Sequence, residues 1–155
     1  MIPVGEMVFV DTNVMLGATD EGRGTHQACE RIISQSTLVS WCLVTSQQVL
    51  REYLVVATRP QPQNGLGMSA SQALSNVNEL LRFVSLLDPE PRQWGVLESL
   101  VRDKRLTGKR IHDANIVACM QTHAIEHLLT DNPSDFEGIG SLTIWTSLKL
   151  NDALN

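Results

Sequence analysis

The chain has 155 residues, of which 43% are hydrophobic and 19% charged, so it can bury one compact core and is too apolar to be disordered throughout. No apolar run is long enough to cross a bilayer, so we expect no membrane segment. The net charge of −5 excludes attraction of nucleic acid by overall positive charge.

The three cysteines and the N-terminal residues bear on the cellular compartment. Cys29, Cys42 and Cys119 are widely spaced and form no CxxC pair, which argues against a disulfide framework, a zinc site or a redox motif. Free cysteine is usually buried, so we expect three buried thiols in a reducing environment. The first ten residues contain no basic leader, and the expected location is the cytoplasm.

The first half of the chain alternates short hydrophobic runs with helical patterns. Hydrophobic runs predict strands at residues 7–10 and 38–44, and helical spacing predicts helices that begin at residue 13 and span residues 26–34 and 46–58. Residues 45–48, Thr-Ser-Gln-Gln, predict a capping box at the start of the third helix. Asp11 directly follows the first strand, and Glu52 lies about two turns into the third helix.

The second half of the chain begins with a predicted loop at residues 60–67, which contain two prolines and two glycines. The pattern then predicts helices near residues 69–84, 94–101 and 111–122, and strands at 85–87, 127–130 and 142–145. Asp113 falls in the first turn of the last helix, and Asp131 follows the strand at 127–130. We expect the tryptophans to pack in the core; they are Trp41, Trp94 and Trp145.

Strands that alternate with helices predict an α/β fold. We expect a mostly parallel central sheet of four or five strands, flanked by helices. The chain contains no internal repeat or low-complexity segment that would divide it. The predicted organisation is one domain over residues 1–146, followed by a C-terminal tail at residues 147–155.

Acidic residues from distant parts of the chain are expected to meet at one edge of this sheet, because ligands of open parallel sheets bind beyond the carboxyl ends of the strands. Clustered carboxylates raise one another's pKa unless a cation neutralises them. Mg²⁺ and Mn²⁺ prefer oxygen ligands, so the cluster predicts a site for one of these ions. The acids expected there are Asp11, Glu52, Asp113, Asp131 and Asp135.

Four segments in chain order resemble the PIN-domain family. They are Val-Phe-Val-Asp-Thr-Asn at residues 8–13, Glu52 after Thr45-Ser46, Arg-Ile-His-Asp-Ala-Asn-Ile-Val-Ala at 110–118, and Leu-Leu-Thr-Asp-Asn-Pro-Ser-Asp-Phe at 128–136. Within that family the chain resembles the VapC-type toxins of bacterial toxin–antitoxin pairs. The resemblance implies a PIN-like nuclease domain that cleaves RNA with Mg²⁺ or Mn²⁺, is restrained by a cognate antitoxin, and forms a homodimer.

The resemblance also implies roles for individual residues. Asp11, Glu52 and Asp113 take the positions of the first three acids of the family, and Thr12 and Asn13 match the polar residues beside the first acid. The fourth acid departs from the simplest pattern, because many members have Asp where this chain has Asn132. Asp135 matches the acid that some toxin members use instead, with Asp131 as a nearby option. With three matched acids, we expect one metal ion rather than two.

Basic residues complete the predicted site. Five of the nine residues from 102 to 110 are basic, and they directly precede the segment of Asp113. An acidic cleft alone would repel phosphate, so we expect basic side chains beside it to hold the RNA backbone, whereas a solvated helix end is the alternative. The residues expected to hold RNA are Arg51, Arg59, Lys109 and Arg110.

Two other functions fit parts of this pattern. The first is a PIN module that binds RNA or protein with weak or lost catalysis, because the fourth acid is displaced. The second is a phosphatase of the haloacid-dehalogenase type, which also begins with an Asp at the end of its first strand. That chemistry needs a second Asp two residues later, and this chain has Asn13 there.

Overall fold

Five short strands form one parallel sheet at the centre of the protein. The computed structural model describes residues 1–155. The strands are β1 (Met7–Val10), β2 (Cys42–Thr45), β3 (Ser85–Leu86), β4 (His127–Leu129) and β5 (Thr143–Trp145). They lie in the order β3-β2-β1-β4-β5, and Phe9 in the central strand pairs with Val44 on one side and Leu128 on the other. The predicted α/β class and parallel sheet are confirmed.

Seven helices connect and flank the strands. They are α1 (Thr12–Thr19), α2 (His26–Gln35), α3 (Gln47–Thr58), α4 (Ala70–Leu80), α5 (Gln93–Lys104), α6 (Arg110–Thr122) and α7 (Ser147–Asp152), with short 3-10 helices at Ser36–Val39, Gln61–Gln63 and Pro133–Phe136. Side-chain hydroxyls begin three of them: Ser46, Ser69 and Thr146 each accept from the amide three residues later. None of the helices is long and apolar enough to span a membrane.

The central strand is buried on both faces of the sheet. Val8, Phe9 and Val10 have no exposed surface, and successive residues of a strand point to opposite faces. Both faces are therefore covered, as expected of a parallel sheet in an α/β protein. One cluster of 33 buried hydrophobic residues fills this core. The carboxyl ends of the strands remain as the edge where loops and helix starts meet.

The predicted strand at 38–44 begins too early, and the predicted capping box is wrong. Residues Ser36–Val39 form a 3-10 helix, Ser40 closes it in the left-handed conformation (φ 58°), and pairing with β1 begins only at Cys42. Ser46, rather than Thr45, caps α3, since its side chain accepts from the Val49 amide. The hydroxyl of Thr45 instead donates to the carbonyl of Val10 and links β2 to β1.

Two expectations about burial are also corrected. Trp94 is 69% exposed, whereas Trp41 and Trp145 are buried as predicted. The helix that carries Trp94, α5, has no buried residue, because it packs on α6 rather than on the sheet. Cys42 is exposed because it is the first residue of β2, while Cys29 and Cys119 are buried free thiols.

The last nine residues include the helix α7. It packs against α2, and its Leu150 has no exposed surface. Thr146 at its N-terminus accepts from the Lys149 amide at 3.4 Å. The boundary at residue 146 between a domain and a C-terminal tail stays a prediction. Residues 147–155 nevertheless contribute to the core through Leu150.

Candidate active site

Four acids from separate elements line one cleft at the carboxyl edge of the sheet. Asp11 follows β1, Glu52 lies on α3, and Asp113 lies in the first turn of α6. Asp135 lies in the 3-10 helix after β4. The cleft is lined by these four together with Thr12, Asn13, Leu16, Arg23, Val56, Ile116 and Asn132. The structure thus brings together acids that lie as far apart in the sequence as Asp11 and Asp135.

Asp11 is the most buried of these acids, with 7% of its surface exposed. Its carboxylate accepts from the Thr12 amide at 2.7 Å, so it caps α1, and it also accepts from the Thr130 hydroxyl at 2.7 Å and the Asn13 amide at 3.0 Å. Burial raises the pKa of Asp11, these hydrogen bonds lower it, and the nearby Glu52 charge raises it again, for a net increase. The hydrogen bonds therefore fix the position of Asp11, but they do not fully offset the cost of burying its negative charge.

Thr130 is a member of this site that the sequence interpretation missed. It is fully buried, and its hydroxyl donates to Asp11 while accepting from the Asn13 side chain at 3.0 Å and the Asn132 amide at 3.1 Å. One donor and two acceptor positions are thus all used. The available signal was its place directly after β4, at the same sheet edge as Asp11.

Asn13 joins the ends of two adjacent strands. Its side-chain amide donates to Asp11 and Thr130, and its carbonyl oxygen accepts from the Asp131 backbone amide at 2.8 Å. A carboxylate at this position has no N–H with which to make the two donated bonds. The residue therefore holds Asp11 and the loop after β4 in register.

Glu52 is oriented by neighbours on both sides. Its two carboxylate oxygens accept from the Thr12 hydroxyl at 3.0 Å and from the Gln48 amide at 2.9 Å. Gln48 also donates to the carbonyl of His112, and its own oxygen accepts from Asn115. Gln48 was missed as well, although its spacing of four residues from Glu52 puts both on one helix face.

Asp113 is half-buried and has the clearest sign of electrostatic conflict. Burial, followed by the charges of Asp135, Asp11 and Glu52, raises its pKa from 3.8 to about 6, against a smaller lowering by Lys109. The three other acids are thus close enough for their charges to raise the pKa of Asp113. An anion at Asp113 is unfavourable in the folded protein unless a cation joins the cleft.

Replacing Asp113 with asparagine is expected to stabilise the metal-free protein. The carboxyl pKa is raised on folding, so the folded state favours the protonated form, and stability is lost as the pH rises from 3.8 through about 6. At pH 8 we expect the free energy of unfolding of the Asp113→Asn variant to exceed that of the wild type by about 1 to 2 kcal/mol. This value is reduced to allow for the partial exposure of the side chain to water. Urea unfolding in EDTA at pH 8 and pH 4 measures this, and the gain should vanish at pH 4.

The structure separates the two options for the fourth acid. Asp135 lines the cleft, whereas the carboxylate of Asp131 accepts from the backbone amide of Ser147 at 2.7 Å and from its hydroxyl at 2.8 Å. Asp131 therefore holds the start of α7. Asn132, between them, lines the cleft but bonds to Thr130 through its backbone.

The basic residues expected near the cleft occupy three environments. Arg51 and Arg59 line a groove beside the cleft together with Thr12, Glu52 and His112. Lys109 is near enough to lower the pKa of Asp113, while Arg110 donates to the carbonyl of Glu137 at 2.7 Å. Arg23, not considered from the sequence, lines the cleft and pairs with Asp20 at 3.2 Å.

The donor chemistry of the cleft fits a hard divalent cation. Its four carboxylates form no ion pair with a Lys or Arg, and the guanidinium of Arg23 that also lines the cleft is paired with Asp20. No group of three His, Cys, Asp or Glu side chains is arranged to hold a metal ion directly. Mg²⁺ usually keeps several waters and takes only one or two carboxylates, so a wider ring of acids still suits it.

Comparisons with known proteins agree with this architecture. The model of the family described as the PIN domain matches residues 8–140. No curated protein sequence shows significant similarity. Among solved structures, the chain is similar to VapBC2 from Rickettsia felis, bound to a DNA fragment from its promoter (TM-score 0.66, 15% identity, 90% of this chain and 98% of that one).

Two further solved structures have the same fold. VapBC-1 from nontypeable Haemophilus influenzae has a TM-score of 0.64 and 20% identity, covering 92% of this chain and 99% of that one. VapC20 from Mycobacterium tuberculosis, described as a sarcin–ricin loop cleaving toxin, has a TM-score of 0.61 and 21% identity, covering 87% and 98%. At these identities the similarity shows a shared fold.

Proposed function

This chain belongs to the PIN domain family, and from that premise we propose that it is a metal-dependent endoribonuclease that hydrolyses RNA phosphodiester bonds. The observation that carries the proposal is the single cleft in which Asp11, Glu52, Asp113 and Asp135 meet without ion-pair partners. Membership of this family also removes the haloacid-dehalogenase alternative.

In this proposal the four acids hold Mg²⁺ or Mn²⁺, with Thr12, Asn13 and Asn132 in support. When bound, the ion would lower the pKa of a coordinated water and stabilise the negative charge on the departing oxygen. The protein's own residues orient the acids: Thr130 and Asn13 fix Asp11, while Thr12 and Gln48 fix Glu52. Acids fixed in this way would hold a hydrated cation, some of them through its waters.

Metal dependence is the direct test. Purified protein should cut single-stranded RNA in Mg²⁺ or Mn²⁺ and lose that activity in EDTA, because the ion would supply the activated water. At limiting metal concentration, activity should also fall as the pH is lowered, because the carboxyl group of Asp113, whose pKa is raised, then binds a proton in place of the metal. Calorimetric titration with Mn²⁺ should give binding heat in the same buffer. Absence of both heat and cleavage would support the non-catalytic PIN module instead.

Arg51 and Arg59 are proposed to hold the RNA backbone as it leaves the cleft. Replacing both with alanine should weaken RNA binding and reduce its salt slope by about 1.4, since each phosphate contact on a single strand contributes about 0.7. Binding in EDTA across a salt series measures this. Alanine at the exposed Arg82 and Lys149, which do not line the cleft, is the charge-matched control, and an equal loss in both double variants would contradict the assignment.

We further propose a toxin–antitoxin role in the cytoplasm, with a cognate antitoxin as partner and a homodimer as the assembly. Support comes from the shared fold with VapBC structures and with a VapC toxin. An unrestrained ribonuclease would damage its own cell, so a partner that covers the acidic cleft is consistent with the chemistry. Lys109 and Arg110, at the start of α6, remain RNA-backbone candidates in this assembly.

A further inference from the structure

A second polar pocket lies at the same edge of the sheet as the acidic cleft. We name it the amide pocket; its polar side chains are Gln47, Gln48, Gln93 and Asn115, with Arg51 and Asp88. It lies beyond the carboxyl ends of β2 and β3, where open sheets bind ligands. The cleft is built instead on β1 and β4. The amide pocket is therefore a separate compartment, and it shares only Gln48 and Arg51 with the residues of the proposed nuclease site.

The amide pocket adjoins the cleft through two residues of α3. Gln48 lines the pocket and donates to the Glu52 carboxylate at 2.9 Å. Arg51 lines both the pocket and the groove that contains Glu52 and Arg59. A chain held in the groove by its phosphates would therefore pass the mouth of the pocket beside Glu52.

Part of the pocket wall is held rigid by its own hydrogen bonds. Asn115 donates to Gln48 and accepts from Gln93 at 3.0 Å, so three amides form a fixed chain between α3, α5 and α6. Amides ordered in this way present donors and acceptors in a defined arrangement at little entropic cost.

Other groups in the pocket have hydrogen-bonding capacity that the protein leaves unused. The side chains of Gln47, Asp88 and Arg51 make no hydrogen bond or ion pair within the protein, and neither does the Gln93 amide oxygen. Donors and acceptors therefore face the same small space. The negative charge of Asp88 disfavours a phosphate inside the pocket. The positive charge of Arg51, on the side nearer the cleft, favours a phosphate just outside the pocket.

These features match the edge of a nucleic-acid base. Proteins read unpaired RNA bases by hydrogen bonds to their edges, and side-chain amides can make two such bonds to one base. The pocket volume of about 160 Å³ is below the roughly 300 to 1,000 Å³ of pockets for larger ligands, which suits one planar ring system. Resting on the proposed nuclease function, we propose that the amide pocket binds the base of an unpaired nucleotide next to the cleavage site.

Nucleotide titrations test this pocket without cleavage. Isotope-labelled protein in EDTA is titrated with AMP, GMP, CMP and UMP, and with ribose 5-phosphate, which has no base. At least one nucleotide should shift the side-chain NH₂ signals of Gln47 and Gln93, whereas ribose 5-phosphate should not. Equal shifts from ribose 5-phosphate and from every nucleotide would overturn the proposal.

Three variants sharpen the result. With the corresponding nucleoside, which has no phosphate for Asp88 to repel, Gln93→Ala and Asp88→Ala should each raise the dissociation constant about fivefold, the effect of one net hydrogen bond. The Asp88 side chain has no partner in the protein, so its removal leaves the amide chain intact. Gln63→Ala, an exposed amide outside the pocket, is the control and should bind like wild type. Wild-type affinity in both pocket variants would overturn the proposal.

Failure of this proposal and failure of the nuclease proposal are distinguishable. A protein that binds nucleotides through this pocket but cuts no RNA in Mg²⁺ or Mn²⁺ contradicts the nuclease and supports the pocket. A protein that cuts RNA but shows no base-dependent shift supports the nuclease and contradicts the pocket.

Discussion

The Asp11→Asn variant is expected to cleave RNA at least about 100-fold more slowly than the wild type while keeping its fold. Changes to groups that merely orient a metal ligand already lower activity by about 10- to 100-fold, and Asp11 is proposed as a ligand itself. Asparagine can still accept from the Thr12 amide and cap α1. It also removes a buried anion of raised pKa, which favours the fold, but its NH₂ group faces the Asn13 amide and the Thr130 hydroxyl that donated to Asp11, so thermal stability should change little. Cleavage rates and growth of expressing bacterial cells measure the loss.

A matched control separates this effect from a general loss of negative charge. Asp103→Asn makes the same chemical change at an exposed position on α5, outside the cleft, and should retain wild-type cleavage. Mn²⁺ binding measured on both variants should fall only for Asp11→Asn. Full cleavage and growth arrest by Asp11→Asn would refute the assignment of the cleft as the catalytic centre.

Replacing Thr130 with valine is expected to reduce both cleavage and stability. Valine has nearly the same shape but removes the hydroxyl, so Asp11 loses one donor, and the amides of Asn13 and Asn132 lose their shared acceptor. Buried polar groups left without partners lower the free energy of unfolding by about 1 to 3 kcal/mol. Cleavage should fall by about 10- to 100-fold, as for other residues that orient a metal ligand.

The serine variant at the same position decides whether orientation is the cause. Thr130→Ser keeps the hydroxyl and loses a methyl group, so it should recover most of the cleavage that Thr130→Val loses. A second readout is Mn²⁺ affinity, which should fall in the valine variant and return in the serine variant. If the two variants lose cleavage equally, Thr130 contributes packing and does not position Asp11.

Much of the fold could be predicted from the sequence because strand ends and helix starts leave local signals. The hydrophobic run before Asp11 and the run before Asp131 gave β1 and β4, which pair side by side in the centre of the sheet. The helical pattern after Lys109 put Asp113 in a first turn, where the structure has it. Together with the rule that ligands bind at one sheet edge, these positions predicted that the acids would share a cleft.

The choice between Asp131 and Asp135 could not be made from local pattern. Both follow β4, and the difference depends on Ser147, sixteen residues after Asp131, whose amide and hydroxyl occupy that carboxylate. The pairing of two distant loops is a tertiary fact that no short window of sequence contains. The role of Thr130 was hidden for the same reason, because its carboxylate partner, Asp11, lies 119 residues away.

The errors have similar physical origins. The run 38–44 is hydrophobic except for Ser40, which adopts a left-handed conformation and separates a 3-10 helix from β2. Trp94 follows a helical pattern that normally marks a core-facing stripe, yet α5 packs on another helix and leaves the indole exposed. The hydrophobic pattern thus missed the start of β2 in the first case and the surface on which the helix packs in the second.

The contact between Asp131 and Ser147 makes the end of the chain part of the cleft's support. The loop that carries Asp135 begins at Asp131, and the carboxylate of Asp131 is secured by the first residue of α7. Shortening the protein before Ser147, or fusing a bulky tag close to Leu150, would free that loop at its base. We therefore expect a stable form of this protein to extend through α7.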